Sequence, residues 1–205
     1  MPVFLNTTDP NFEAQFQTLL SAKREDSPDV DQVVADIIAD VRARGDAALL
    51  EYTKRFDRLT LTSETLRLSG AEIAAEIKKV ALEDRAALEL AAARIRAYHA
   101  EQMPQDAWWK DASGAELGWR WTPVSAAGLY VPGGLATYPS SVLMNAIPAK
   151  VAGVERLAIT VPTPDGAINP LVILAAELAG VDEIYCIGGA QAIACLLYTS
   201  PSPRD

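Results

Sequence analysis

The sequence predicts an α/β protein: N-terminal helices followed by an incomplete Rossmann-like parallel sheet with flanking helices. Three observations carry this. Residues 9–103 read mainly as helix from their apolar spacing. After Ala126 the rhythm turns to strand, helix, strand, helix, strand, helix, the pattern of a parallel sheet with right-handed crossovers. Two of those strands run into glycine pairs, Gly133-Gly134 and Gly188-Gly189, at the corner where a helix begins. The expected units are residues 1–125, an N-terminal helical region with part of a first α/β domain; 126–195, a partial α/β domain; and 196–205, a disordered tail.

The elements follow in chain order. "DVDQVVADIIADVRARGDAALLEYTKRFD" places Val30, Val33, Val34, Ile37, Ile38 and Val41 on one helical face. Gly45 stops that helix and Asp46 is expected to cap the next, where Ala48, Leu49, Tyr52 and Phe56 keep the amphipathic spacing. "LTLTSETLRLS" alternates Leu59 and Leu61 with Thr60 and Thr62 and reads as a short strand or extended connection. "GAEIAAEIKKVALEDRAALELAAARIRAYHAEQ" is a long helical stretch with one break near Glu83-Asp84. Around "AELGWRWTPV" the alternation suggests strand pairing, and Trp108, Trp109, Trp119 and Trp121 gather into a patch expected to lie under a loop or at a domain junction.

Gly128 to Val131 is the first strand of the repeating unit. Ser140 to Gly153 is a helix with Pro148 as a kink, and Ser140 and Ser141 are candidates to cap it or to donate to a bound group. "RLAITVP" is a buried strand. "NPLVILAAELAG" is a helix with Asn169 as N-cap, Pro170 in its first turn and Gly180 at its end. "DEIYCIGG" is the third strand, and "AQAIA" opens another helix that Pro201 and Pro203 would stop after about two turns. The order of the strands is not legible from spacing.

Composition narrows the function classes. Half of the 205 residues are hydrophobic, and 27 Asp and Glu outweigh 18 Lys and Arg for a formal charge of -9. A surface of that sign argues against nucleic acid or an anionic membrane as the main partner, and it disfavours reading the tryptophans as a base-stacking platform. Cys186 and Cys195 show no C-x-x-C spacing and both sit in apolar segments, which suits a reducing, cytoplasmic setting. The N-terminus lacks a basic segment followed by an apolar one. No apolar run approaches the roughly 18 residues that a membrane span needs.

In an open parallel sheet, ligands bind beyond the carboxyl ends of the strands. Glycine at those ends lets backbone N–H groups approach a ligand, and a following helix N-terminus favours phosphate. Tyr130 and Gln191 fall at two such ends, one able to stack or hydrogen-bond, the other carrying donors and acceptors. Neither corner matches G-x-G-x-x-G or the P-loop pattern. His99, the single histidine, and Asp57 are weaker candidates, because each sits at a helix end where solvated or structural roles are common.

"VRARGDAALLEYTKRFD", "GLYVPGGLATYPSSVLMNAIPAKVAGV" and "IGGAQAIA" together resemble histidinol dehydrogenase, over most of the chain up to about Ala194. That resemblance implies NAD-dependent oxidation of L-histidinol, through the aldehyde, to L-histidine by a zinc-containing homodimer. It implies that Tyr130 and Gln191 contact NAD. It also implies that the zinc ligands and the catalytic Glu-His pair lie downstream of "GGAQAIA", so that no catalytic and no metal-binding residue is expected in this chain. "CLLYTSPSPRD" does not look like the family, and a sheet without later strands is expected to expose an edge. The rival from another class is a non-catalytic nucleotide-binding module.

Overall fold

The computed structural model describes residues 4–23, 28–132 and 138–199. Five helices come first: α1 (Phe12–Lys23), α2 (Pro28–Arg44), α3 (Asp46–Asp57), α4 (Gly70–Ile77) and α5 (Leu82–Ala100). A hairpin of β1 (Ala107–Lys110) and β2 (Glu116–Trp119) follows. Then come β3 (Ala126–Tyr130), α6 (Pro139–Val151), β4 (Arg156–Thr160), α7 (Pro170–Ala179), β5 (Glu183–Tyr185) and α8 (Gly189–Thr199). The strands β3, β4 and β5 are parallel and lie in that order. The α/β class expected from the sequence is therefore the observed one.

The helix punctuation explains most boundaries. Gly45 adopts a φ of 57°, which ends α2, and it is Gly45, not Asp46, that occupies the N-cap of α3. Asp46 instead lies in the first turn, where its charge complements the helix dipole. Ser69 opens α4 with a reciprocal capping box: its hydroxyl accepts from the Glu72 N–H, and the Glu72 carboxylate accepts from the Ser69 N–H. The break between α4 and α5 falls at residues 78–81, a few positions before the expected Glu83-Asp84. The Asn169 carboxamide accepts from the Leu171 N–H at 2.9 Å, Pro170 fills the first turn of α7, and Gly180 closes it at a φ of 79°, all as the sequence predicts.

Alternation along the strands splits the sheet into two faces. Leu157, Ile159, Val161, Ile184 and Cys186 are buried on one side, with Leu129 partly so, against Val142, Ile147, Ile173, Leu174 and Ala176 from α6 and α7. Ile77 of α4 and Ala92 of α5 close the same core. On the opposite side a smaller cluster joins Leu49 of α3, Leu66, Ile187 and Ala192 of α8, with Tyr130 and Tyr185 beside it.

The β5 side of the sheet is covered: Leu68 donates to the Ile184 carbonyl and Cys186 to the Leu66 carbonyl, both at 2.9 Å, in an antiparallel bridge centred on Arg67 and Tyr185. The β3 side has no further strand among the described residues, so the expected open edge lies there. Two expectations are corrected. The tryptophan patch is not covered among the described residues. Trp108, Trp109, Trp119 and Trp121 are 71%, 45%, 51% and 60% exposed, with Trp109 edge-on to Trp119 at 5.2 Å. The predicted face of α2 is only half used: Ile37 and Val41 are buried, but Val30, Val33 and Val34 are exposed. As to the expected tail, α8 runs on through residues 196–199, so these four are helical, and 200–205 lie outside the described residues.

A carboxylate ties β4 to its neighbours. Asp182 Oδ2 accepts from Lys150 Nζ at 2.7 Å and from the Leu157 N–H at 2.8 Å. The Lys150 ammonium, with help from the Leu157 amide, holds the Asp182 carboxyl below its ordinary value of 3.8 despite some burial. Arg156, with the Tyr185 hydroxyl, does the same for Glu183. A carboxyl depressed in the fold contributes stability above its unfolded value, and that share is lost as pH falls through the folded one. Urea midpoints are therefore expected to drop below about pH 4, and Asp182→Asn to flatten that acid limb while lowering the neutral midpoint. An acid limb identical in the variant would contradict the assignment.

Candidate functional site

The site is built at the carboxyl ends of β3, β4 and β5. The parallel register places Tyr130 beside Thr160, and Thr160 beside Tyr185. Beyond β5 the chain turns through Gly188 and Gly189 into α8. The Gly189 N–H donates to the Tyr130 hydroxyl at 3.2 Å, which ties the end of β3 to the start of α8. Two residues on, Gln191 is 1% exposed, and its Oε1 is buried without a hydrogen-bond partner. The two residues that the sequence singled out thus flank one glycine.

Gly188 is sterically required, and Gly189 is favoured by its backbone angle. A Cβ on Gly188 would lie 2.6 and 2.7 Å from the Pro162 ring carbons and 3.2 Å from Pro162 Cα. Gly189 has a φ of 66°, and a Cβ there would lie 2.6 Å from Gln191 Oε1. A side chain at either position would displace a neighbour, and at Gly189 it would also strain the backbone. The other pair, Gly133-Gly134, lies outside the described residues.

Sequence reasoning missed two further groups. Thr160 and Thr163 are each 1% exposed; the Thr160 hydroxyl is buried without a partner, while the Thr163 hydroxyl bonds to the Cys186 thiol. Buried polar atoms are normally paired, so two unpaired oxygens, on Thr160 and Gln191, at one end of a sheet are unusual. Short polar residues at a strand end give no periodic signal, which is why the threonines were not singled out.

Other candidates fall elsewhere. Ser140 and Ser141 do not cap α6; Tyr138 stands at its N-cap without a side-chain bond, and Ser141 donates its N–H to the Tyr138 carbonyl. His99 lies in the last turn of α5, its ring edge-on to Tyr98 at 5.2 Å. Asp57 is half-buried at the end of α3, and burial raises its pKa against the pull of Arg58. Arg58 itself forms a two-bond ion pair with Asp165.

A cavity of about 300 Å³ opens on the sheet face covered by α3 and α8, lined by Leu49, Gly128, Arg156, Thr160, Glu183 and Leu196 among others. Neither Tyr130 nor Gln191 lines it. It runs along the sheet from Ala126, Arg156 and Glu183, the first residues of their strands, to Thr160 and Tyr185, the last residues of β4 and β5.

The residues present fit a dinucleotide in part. Gln191 Oε1 lacks a donor, which a carboxamide N–H or ribose O–H would supply. The Tyr130 oxygen accepts from Gly189, leaving its own proton to be donated outward. The Gly189 N–H is committed to that tyrosine and not to a phosphate. Zinc does not fit: among the described residues no three His, Cys, Asp or Glu side chains form a group that could hold a metal ion.

The family model described as histidinol dehydrogenase matches residues 20–203. The histidinol dehydrogenase of Cereibacter sphaeroides is 71% identical over 204 residues, covering 100% of this chain and 47% of that protein. That of Ruegeria pomeroyi is 72% identical over 198 residues, covering 97% and 46%. The crystal structure of histidinol dehydrogenase from Elizabethkingia anophelis superposes with a TM-score of 0.78 at 34% identity, over 83% of this chain and 39% of that one. The chain spans about half the length of the curated relatives it matches, and with a family match over most of its residues it belongs to the histidinol dehydrogenase family.

Proposed function

We propose that this chain provides the nucleotide-holding part of an enzyme that oxidises L-histidinol to L-histidine with NAD, in histidine biosynthesis. The observation that carries the reading is the Tyr130–Gly189–Gln191 arrangement, with an unpartnered carboxamide oxygen buried at the strand ends. Family membership supplies the reaction class. NAD, when bound, supplies the hydride acceptor. Tyr130 donates its hydroxyl proton to an acceptor oxygen of the ligand, and Gln191 accepts from a ligand N–H or O–H. The glycine turn keeps the approach clear of side chains. Zinc, the homodimer and a cytoplasmic setting belong to the same proposal for the whole protein. No described helix is long and apolar enough to cross a membrane.

The test is the NAD constant of a full-length parent. Gln191→Ala and Tyr130→Phe should each raise it about tenfold, the loss of one well-made hydrogen bond, with zinc content unchanged. An unaltered constant in both variants would remove the assignment.

A further inference from the structure

We propose that Gly189 is a positioning residue that sets the Tyr130 hydroxyl and the Gln191 carboxamide together, an inference that rests on the cofactor reading above. Three observations converge on it. Its N–H is the donor that the Tyr130 oxygen accepts, at 3.2 Å, so the backbone of this one residue fixes which way the phenol presents its proton. Its φ of 66° bends the chain so that α8 starts directly behind the strand ends. The space where its Cβ would stand is filled by the Gln191 side chain, with Oε1 at 2.6 Å and Cδ and Nε2 at 3.2 Å. The missing side chain is therefore what lets Gln191 fold back under the turn, and the same residue's amide holds the tyrosine. A methyl group at this position acts on both ligand-facing groups at once: it pushes the carboxamide off its seat and disturbs the φ that aims the N–H.

Gly180 is the matched control. It has a φ of 79° at the end of α7, and a Cβ there meets only Lys150 carbons at 3.7 and 3.8 Å. Gly180→Ala carries similar backbone strain away from the cleft, so it separates positioning from loss of fold.

The experiment uses this chain, with NAD titrated by calorimetry and the Gln191 side-chain amide followed by NMR. Gly189→Ala is expected to shift that amide signal and to weaken NAD binding by about tenfold or more. Adding Tyr130→Phe to Gly189→Ala should then cost less than about twofold further, because contacting groups do not act additively. Gly180→Ala should lower thermal stability as Gly189→Ala does, with neither the shift nor the loss of affinity. An unmoved Gln191 signal, an equal affinity loss in Gly180→Ala, or full multiplication of the Gly189→Ala and Tyr130→Phe losses would overturn the proposal. If the unaltered chain binds no NAD while Gly189→Ala still moves the Gln191 signal, the cofactor reading is overturned and the coupling through Gly189 is supported.

Discussion

Truncating Ile159 to alanine is expected to cost the fold about 2–5 kcal/mol, the range for a fully buried isoleucine whose site collapses only partly. Ile159 lies on the central strand, in register with Leu129 on one side and Ile184 on the other, and it is 0% exposed. Its side chain belongs to the cluster that joins the sheet to α6 and α7. A domain of this size is stable by roughly 5–15 kcal/mol, so one truncation removes a large share. Ile193 on α8 is the contrast: it is 37% exposed, and its alanine variant should stay within about 1 kcal/mol of the parent. Urea unfolding followed by circular dichroism reads both. Equal midpoints for the two variants would contradict the placement of the core.

The second large effect concerns turnover. This chain alone is expected to produce NADH from histidinol at least about 100-fold more slowly than a full-length relative, since positioned acid–base groups contribute roughly 10²–10⁴. Alcohol oxidation needs a group to take the hydroxyl proton, and His99 sits instead at the end of α5 against Tyr98. The cysteines offer no ready proton acceptor either: burial pushes the Cys186 thiol up to about 11 and raises Cys195 as well. Absorbance of NADH with saturating histidinol, NAD and added zinc measures the ratio. Turnover within tenfold of the relative would place the chemistry in this chain's own residues.

Much of the fold was legible because its signals are local. Asn169, Pro170 and Gly180 mark both ends of α7 by rules that need no tertiary knowledge. The strand-helix rhythm after Ala126 similarly implies parallel pairing. What escaped was non-local. Nothing within "LTLTSETLRLS" says that Leu66 and Leu68 will cover the β5 edge, because pairing partners far apart in sequence leave no mark on either segment. The capacity of Val30, Val33 and Val34 to be buried was visible, but whether a partner surface meets them was not. At the site, Tyr130 and Gln191 were legible as chemistry at strand ends. Their link through Gly189 was hidden, since it depends on a positive φ and a backbone donor that carry no side-chain signature.

The most direct test of the central claim, that NAD is held at the carboxyl ends of the strands, is a map of backbone amide shifts in this chain as NAD is added. Saturable shifts are expected, concentrated at Tyr130, Val131 and Gly188 to Gln191. Saturable shifts confined to the cavity beneath α8, at residues such as Gly128, Arg156 and Glu183, or no saturable shift at all, would contradict it.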